Sequence, residues 1–276
     1  MDLKTLLAKH NFRFNKALGQ NFISDVNLLD AIAADGGVTD KDTIVEIGAG
    51  AGTLTRRLAA KAKRVVAFEV DERLREVLRE NLSGLDNAEV IFGDVLKMRD
   101  AEIAELVGEP FKVVANLPYY VTTDMVMRFL ESELEVLTVT VTVQREVAAR
   151  FTALPGTPDY GAITLGIGLR GDARKTRDIP RTVFYPVPNV DSAVIRIDVN
   201  RNKFEGENLP LASALVKSAF HMRRKTFANN LSASFKLERS ETEAVLAACG
   251  IPIKARGETL GLDKIIELSR VLKKHI

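Results

Sequence analysis

Between residues 43 and 143 the chain alternates short apolar runs with amphipathic stretches. Thr43-Ile44-Val45-Glu46-Ile47, Arg64-Val65-Val66-Ala67-Phe68-Glu69, Glu89-Val90-Ile91-Phe92 and Phe111 to Ala115 are each too short for a helix and read as strands, the last of them buried. Helical periodicity fills the gaps: residues 25–34, a segment from Thr53 with Leu54 and Leu58 on one face, and 71–82. Strand alternating with helix predicts an α/β domain with a doubly wound, mostly parallel sheet. Val136 to Val143 alternates Val/Leu with Thr, a further strand, and Gln144-Arg145-Glu146 opens a helical stretch to Phe151. Ala162 to Leu169 and Ala193 to Val199 are two more apolar runs with no long helix between them, which predicts an antiparallel hairpin closing the sheet. Beyond the polar stretch Asn200 to Pro210 the period becomes helical. Leu211 to Leu231 carries a stripe through Leu215, Val216, Ala219 and Phe220, and 241–249 and 262–272 follow. This places a boundary at 203/204, with a small all-helical domain over 204–276.

The strand ends carry the candidate chemistry. The first strand runs into Gly48-Ala49-Gly50-Ala51-Gly52 and a helix, the opening unit of a nucleotide-binding sheet. Its spacing is G-x-G-x-G rather than G-x-G-x-x-G. Glu46 just before the turn disfavours a pyrophosphate and suits a cationic ligand better. Glu69 lies 21 positions after Gly48, the offset at which an acidic residue meets ribose hydroxyls. Asp94 ends the third strand and can accept from an adenine amino group or cap the next turn. The fourth strand leads to Asn116-Leu117-Pro118-Tyr119, which gathers an amide oxygen, backbone carbonyls and an aromatic face around one small volume. Such a volume fits a flat ring bearing an exocyclic amine; a strand-ending turn with a packed Tyr is the other reading. Leu18-Gly19-Gln20-Asn21-Phe22-Ile23 suits a loop closing over a ligand, and Phe184, in the Pro-stiffened run Phe184-Tyr185-Pro186-Val187-Pro188, suits a second face of a base sandwich or a hydrophobic plug.

Composition narrows the partners. The net charge of +2 conceals a split: residues 207–276 hold 12 Lys/Arg against 7 Asp/Glu, a net +5, and the rest of the chain is net −3. With Arg223-Arg224-Lys225 in the helical part and Lys4, Lys9, Arg13 and Lys16 near the start, this points to a polyanion. The single Cys249 rules out a disulfide framework, and His10, His221 and His275 show no ligand spacing, so no metal is expected. No run reaches the ~18 apolar residues of a membrane span, and a cytoplasmic location is the expectation.

With these residues placed, the chain resembles the ribosomal small-subunit RNA adenine dimethyltransferases, the kasugamycin-sensitivity methylases. Leu18 to Ile23, Glu46 to Gly52, Glu69, Asp94, Asn116 to Tyr120, Phe184 to Ser192, Arg223 to Leu231 and Arg256 to Leu260 carry the likeness; Asp124, where the family often has Pro, and His221-Met222 depart from it. The resemblance implies a class I methyltransferase (Rossmann-like) fold with a seven-stranded sheet and an antiparallel end strand. It implies S-adenosylmethionine as cofactor and N6,N6-dimethylation of two adjacent adenosines in the 3′-terminal hairpin of 16S rRNA, within the small ribosomal subunit or its precursor, by a monomer. Asn21, Ile23, Gly48, Glu69, Asp94 and Asn116 would then line the cofactor site. Oxygens of Asn116 and Leu117 would accept from the target amine, Tyr119 and Phe184 would hold the base, and Arg223, Arg224 and Lys225 would meet RNA. A large-subunit adenine methylase of the macrolide-resistance type and a non-catalytic RNA-binding assembly factor are the alternatives; an NAD-dependent dehydrogenase fails on the glycine spacing.

Overall fold

The computed structural model describes residues 2–15, 18–108, 110–222 and 224–274, in two compact units: residues up to Ala148 with Arg174–Val199, and Ala149–Ala173 with the chain from Asn200 on. Lys16, Arg223 and His275, singled out in the sequence, lie outside the described residues. In the first unit α1 (Leu3–Lys9), β1 (Phe22–Ile23) and α2 (Val26–Asp35) precede the alternation β2 (Thr43–Ile47), α3 (Thr53–Ala59), β3 (Arg64–Glu69), α4 (Arg75–Asn81), β4 (Ala88–Phe92), α5 (Asp100–Val107), β5 (Phe111–Asn116), α6 (Thr122–Glu131) and β6 (Val136–Gln144). The chain leaves this unit within α7 (Arg145–Phe151), forms α8 (Ala162–Gly168), and returns along β7 (Gly171–Ile179), β8 (Phe184–Tyr185) and β9 (Ser192–Val199). The second unit continues with α9 (Leu209–His221), α10 (Phe227–Phe235), α11 (Arg239–Ala248) and α12 (Leu262–Leu272).

The seven-stranded sheet has the order β4-β3-β2-β5-β6-β9-β7. β4 through β6 are parallel, and β9 runs antiparallel to β6. Pairing of Ile47 with both Phe68 and Ala115, and of Glu69 with Phe92, brings the carboxyl ends of four adjacent strands to one rim. One apolar layer sets Ile32, Leu54 and Leu58 against Val65 and Val114; another sets α1 and α4 against Ala67 through Leu7, Val77 and Leu78.

Two sequence expectations change. Ala162 to Leu169 is not a strand but helix α8 and its C-cap Leu169, and Leu165 and Leu169 join the core of the helical unit with Leu215 and Phe227. A short, mostly apolar run has no periodicity that separates a buried helix from a buried strand. The strand beside β9 is instead the polar Gly-Asp-Ala-Arg-Lys-Thr-Arg-Asp-Ile of β7, with Arg174 paired to Asp198 and Arg177 to Asp35. Charge on an edge strand guards it against pairing with other chains, and the same charge hides it from an apolar pattern. Residues 149–173 group with the C-terminal helices, and the chain passes between the units a second time after Val199.

The second correction concerns Leu211 to Leu231, which forms two helices rather than one. α9 stops at His221, and Thr226 caps α10 by accepting from Asn229 N. The Phe227 N–H is spent on Ala255 O at 2.7 Å, outside any helix. Arg224 and Lys225 thus sit in the turn between helices and not on a helical face.

Candidate functional site

A cavity of about 550 Å³ opens at the carboxyl rim of β2, β3, β4 and β5, within the usual range for a small-molecule site. All of its lining belongs to the first unit. It takes in the Gly48-Ala49-Gly50 turn, Glu69, Asp94, the 116–121 segment, the 18–23 loop and Phe184. The rim register makes this arrangement: the residue following Ile47 of β2, the last residue of β3 and the last residue of β5 stand side by side.

The glycine turn is shaped for close contact but not for phosphate. Gly48 has φ +76°, and a Cβ there would meet no protein atom, only the open cavity. At Gly50 a Cβ would stand 2.8 Å from the Phe22 ring, so the 18–23 loop crosses the turn where only hydrogen fits. Four of the backbone donors are already used. Gly48 N and Ala49 N donate to Phe68 O at 2.8 and 3.0 Å, Gly50 N to Glu69 Oε2 at 2.7 Å, and Gly52 N to Ala49 O at 2.8 Å. Dinucleotide sites present such donors to a pyrophosphate; here these four are engaged with Phe68, Glu69 and Ala49.

Glu69 is buried, with Oε1 accepting from Val70 N (2.9 Å) and Asp71 N (2.8 Å) as well as Oε2 from Gly50 N. A carboxylate offers about four acceptor positions, so three are filled and one remains on Oε2. Burial raises its pKa and the three N–H donors work against that shift. Asp94 Oδ1 caps the following turn by accepting from Leu96 N (3.1 Å), and the residue also lines the cavity.

Glu46 is the electrostatic anomaly of the site. It is buried at 1% exposure, lines the cavity, and its Oε2 has no hydrogen-bond partner. Burial pushes its carboxyl up to about 8; the Thr55 hydroxyl opposes the shift without a normally formed hydrogen bond, and the Glu69 charge adds to it. A buried acceptor without a donor is costly, and a ligand bearing positive charge or N–H groups would satisfy it.

Asn116 is oriented by its neighbours. Its Nδ2 donates to Asn21 O at 3.0 Å, and Asn21 Nδ2 donates to Gly19 O at 2.9 Å. That bond uses one of the two amide N–H groups and leaves Oδ1 without a hydrogen-bond partner among the described residues. The Leu117 side chain is buried, and the turn is closed by Val121 N and Thr122 Oγ1 both donating to Pro118 O at 3.2 Å. Tyr119 lines the cavity, with its hydroxyl 2.8 Å from Ser192 Oγ. Phe184 pairs with Ile23 in a two-stranded β1–β8 ribbon, which is how residues 161 positions apart reach one wall. Nothing local in the sequence signals the Tyr119–Ser192 bond or the internal use of the glycine-turn donors, since both arise from tertiary contacts. Arg224 and Lys225 belong to the other unit and are not part of this cavity; neither forms an ion pair among the described residues. Among the described residues no group of three or more His, Cys, Asp or Glu could hold a metal, and no helix is long and apolar enough to cross a membrane.

The profile of the family described as "Ribosomal RNA adenine dimethylase" matches residues 11–274. A Clostridioides difficile (strain 630) protein named "Ribosomal RNA small subunit methyltransferase A" is 42% identical over 276 residues, covering 99% of this chain and 96% of its own length. A protein of the same name from Bacillus pumilus (strain SAFR-032) is 41% identical over 283 residues, again 99% and 96%. Among solved structures, a dimethyladenosine transferase from Plasmodium falciparum superposes with a TM-score of 0.78 at 22% identity, over 92% of this chain and 98% of that one. The 23S rRNA methyltransferase ErmE superposes at 0.71 with 29% identity, over 91% and 99%.

Proposed function

This chain belongs to the ribosomal RNA adenine dimethylase family of methyltransferases, and from that premise we propose that it dimethylates the N6 amino groups of two adjacent adenosines in the 3′-terminal hairpin of 16S rRNA, using S-adenosylmethionine. The observation that carries the reading is the tethered Asn116 amide, whose remaining oxygen lies beside an adenosine-sized cavity. The cavity residues fit the cofactor. Glu69 keeps one acceptor position for a ribose hydroxyl, Asp94 accepts from the adenine amino group, and the unpartnered Glu46 suits a positive charge. Asn21, Ile23 and Gly48 supply the walls and the close backbone approach. Bound there, S-adenosylmethionine supplies a methyl group already activated on a sulfonium.

The protein's own work is positioning and desolvation. The N6 lone pair of adenine is delocalised into the ring and makes a poor nucleophile. Asn116 Oδ1 and the Leu117 carbonyl accept the amine hydrogens, favour a tetrahedral nitrogen and aim the lone pair toward the methyl. Tyr119 and Phe184 hold the ring between them. Alignment and preorganised acceptors of this kind account for much of an enzyme's acceleration. No strong base is required, because the amine proton becomes acidic only once the N–C bond has formed, and it then leaves to water.

Arg223, Arg224 and Lys225 bind RNA phosphates from the helical unit, and the enzyme acts as a cytoplasmic monomer on the small subunit or its precursor. The small-subunit substrate is favoured over the large-subunit one because relatives named for the small subunit reach 42% identity, against 29% for the 23S enzyme. Labelled methyl transfer to small-subunit particles and, in parallel, to large-subunit RNA tests this. N6,N6-dimethyladenosine from the small-subunit substrate alone is the expected product, and transfer only to large-subunit RNA refutes it.

A further inference from the structure

Tyr119 is held at a second point. Its hydroxyl meets Ser192 Oγ at 2.8 Å, and Ser192 has no solvent exposure. Ser192 opens β9 opposite Gln144, the last residue of β6, while Tyr119 follows the end of β5. Since the order is β5-β6-β9, the phenol reaches from one strand end across the next to the third. Strands are ~4.8 Å apart, so the contact bridges about two spacings. The bonds to Pro118 O fix the backbone at one end of the side chain, and Ser192 fixes the hydroxyl at the other.

We propose that Ser192 is a positioning residue for methyl transfer: by holding the Tyr119 hydroxyl it sets the tilt of the ring against which the target adenine rests. The proposal rests on the reading of Tyr119 as one face of the base site. Burial raises the Tyr119 pKa, the Ser192 bond opposes that and the Asp191 charge adds to it, so the hydroxyl keeps its proton at neutral pH and the contact persists. A ring anchored only by its backbone turns about its side-chain bonds and accepts a base over a range of tilts. Transfer needs the reacting atoms ~3–3.5 Å apart and aligned. The second transfer is the more demanding, because the nitrogen already carries a methyl group and its lone pair has fewer productive directions. The fixed hydroxyl also accounts for a Tyr at this position where a Phe would stack equally well.

The test is Ser192→Ala, which removes one oxygen and adds no bulk, assayed on small-subunit particles beside the wild type. The expected result is a kcat lowered about tenfold, within the loss that small misplacements cause, with unchanged KM for S-adenosylmethionine and a raised share of N6-monomethyladenosine. Tyr119→Phe should reproduce these changes, and the double variant should be no worse than the more severe single, because both remove one bond. Ser192→Thr keeps the hydroxyl and should retain the wild-type product ratio. Wild-type kcat and product ratio in Ser192→Ala, or losses that multiply in the double variant, overturn the proposal. If Ser192→Ala fails to fold, Tyr119→Phe decides, and wild-type behaviour there overturns it equally. Failure of the wild type itself to methylate the particles refutes the assigned reaction and not the role of Ser192.

Discussion

Replacing Glu46 by Gln should stabilise the ligand-free protein more as pH rises. Glu46 is buried, one of its oxygens lacks a partner, and its carboxyl is pushed from 4.5 to about 8. Its folded-state pKa thus lies above the unfolded value. Between these values the folded protein holds a proton that the unfolded chain has released, so stability falls as pH rises through that window. At about 1.4 kcal/mol per unit, the full shift corresponds to a ceiling of roughly 5 kcal/mol. Relaxation of the site and water entry into the cavity reduce this, and about half is a reasonable working figure. That amount moves Tm by roughly 5–10 °C for a unit of this size. Gln keeps the shape and cannot ionise. The assay is thermal unfolding of the wild type and Glu46→Gln from pH 5 to pH 8.5 without ligand. The curves should converge near pH 5 and diverge as pH rises, the variant becoming the more stable. A bound cation favours the ionised carboxylate, so S-adenosylmethionine should bind the wild type with proton release near pH 7, seen in calorimetry across buffers of different ionisation enthalpy, and bind Glu46→Gln without it. Parallel unfolding curves, or equal proton release from both proteins, would refute the reasoning.

Asn116→Ala should lower kcat on the order of 100-fold, the typical loss for one oriented polar group, while RNA affinity changes little; a fall of less than a few-fold makes Asn116 a turn residue. Glu69→Ala should weaken S-adenosylmethionine binding by about 1.5–3 kcal/mol, as for loss of a charged acceptor, and calorimetry should show no comparable NAD binding to the wild type; tight NAD binding contradicts the account of the glycine turn. Changing Arg223, Arg224 and Lys225 together to Ala should flatten the dependence of log RNA affinity on log salt by up to about 2–3, at ~0.7–0.9 per phosphate, with cofactor affinity unchanged; an unaltered slope removes these residues from the RNA interface.

The parallel half of the sheet was legible because β2, β3 and β5 are buried almost throughout and even the half-exposed edge strand β4 is apolar, with helices filling the gaps, so that apolar content and local period agree. The site followed from it. In an open α/β sheet a ligand lies outside the carboxyl ends, and Gly48, Glu69, Asp94 and Asn116 all stand there. Legibility stopped where tertiary context overrides local pattern. Ala162 to Leu169 is apolar because it is swallowed by the helical unit, and β7 is polar because it forms an edge. The restart of helix beyond His221 is set by Thr226, which caps α10.

The choice of cofactor shows the difference between the two kinds of information. Glycine spacing and the acid at Glu46 disfavoured a dinucleotide only as a matter of pattern. The hydrogen bonds give that pattern a physical basis, since the N–H groups of Gly48, Ala49, Gly50 and Gly52 are already engaged within the protein. Glu69 is the pivot, because the same carboxylate that consumes the Gly50 donor keeps one acceptor position at the cavity. The turn is held shut by the residue that would bind ribose. Loss of Glu69 should therefore do two things at once: free the Gly50 N–H and remove the acceptor. If the turn is closed to phosphate only by that bond, Glu69→Ala should gain weak affinity for inorganic pyrophosphate as it loses S-adenosylmethionine. If it gains none, the shape of the turn excludes phosphate without help from Glu69.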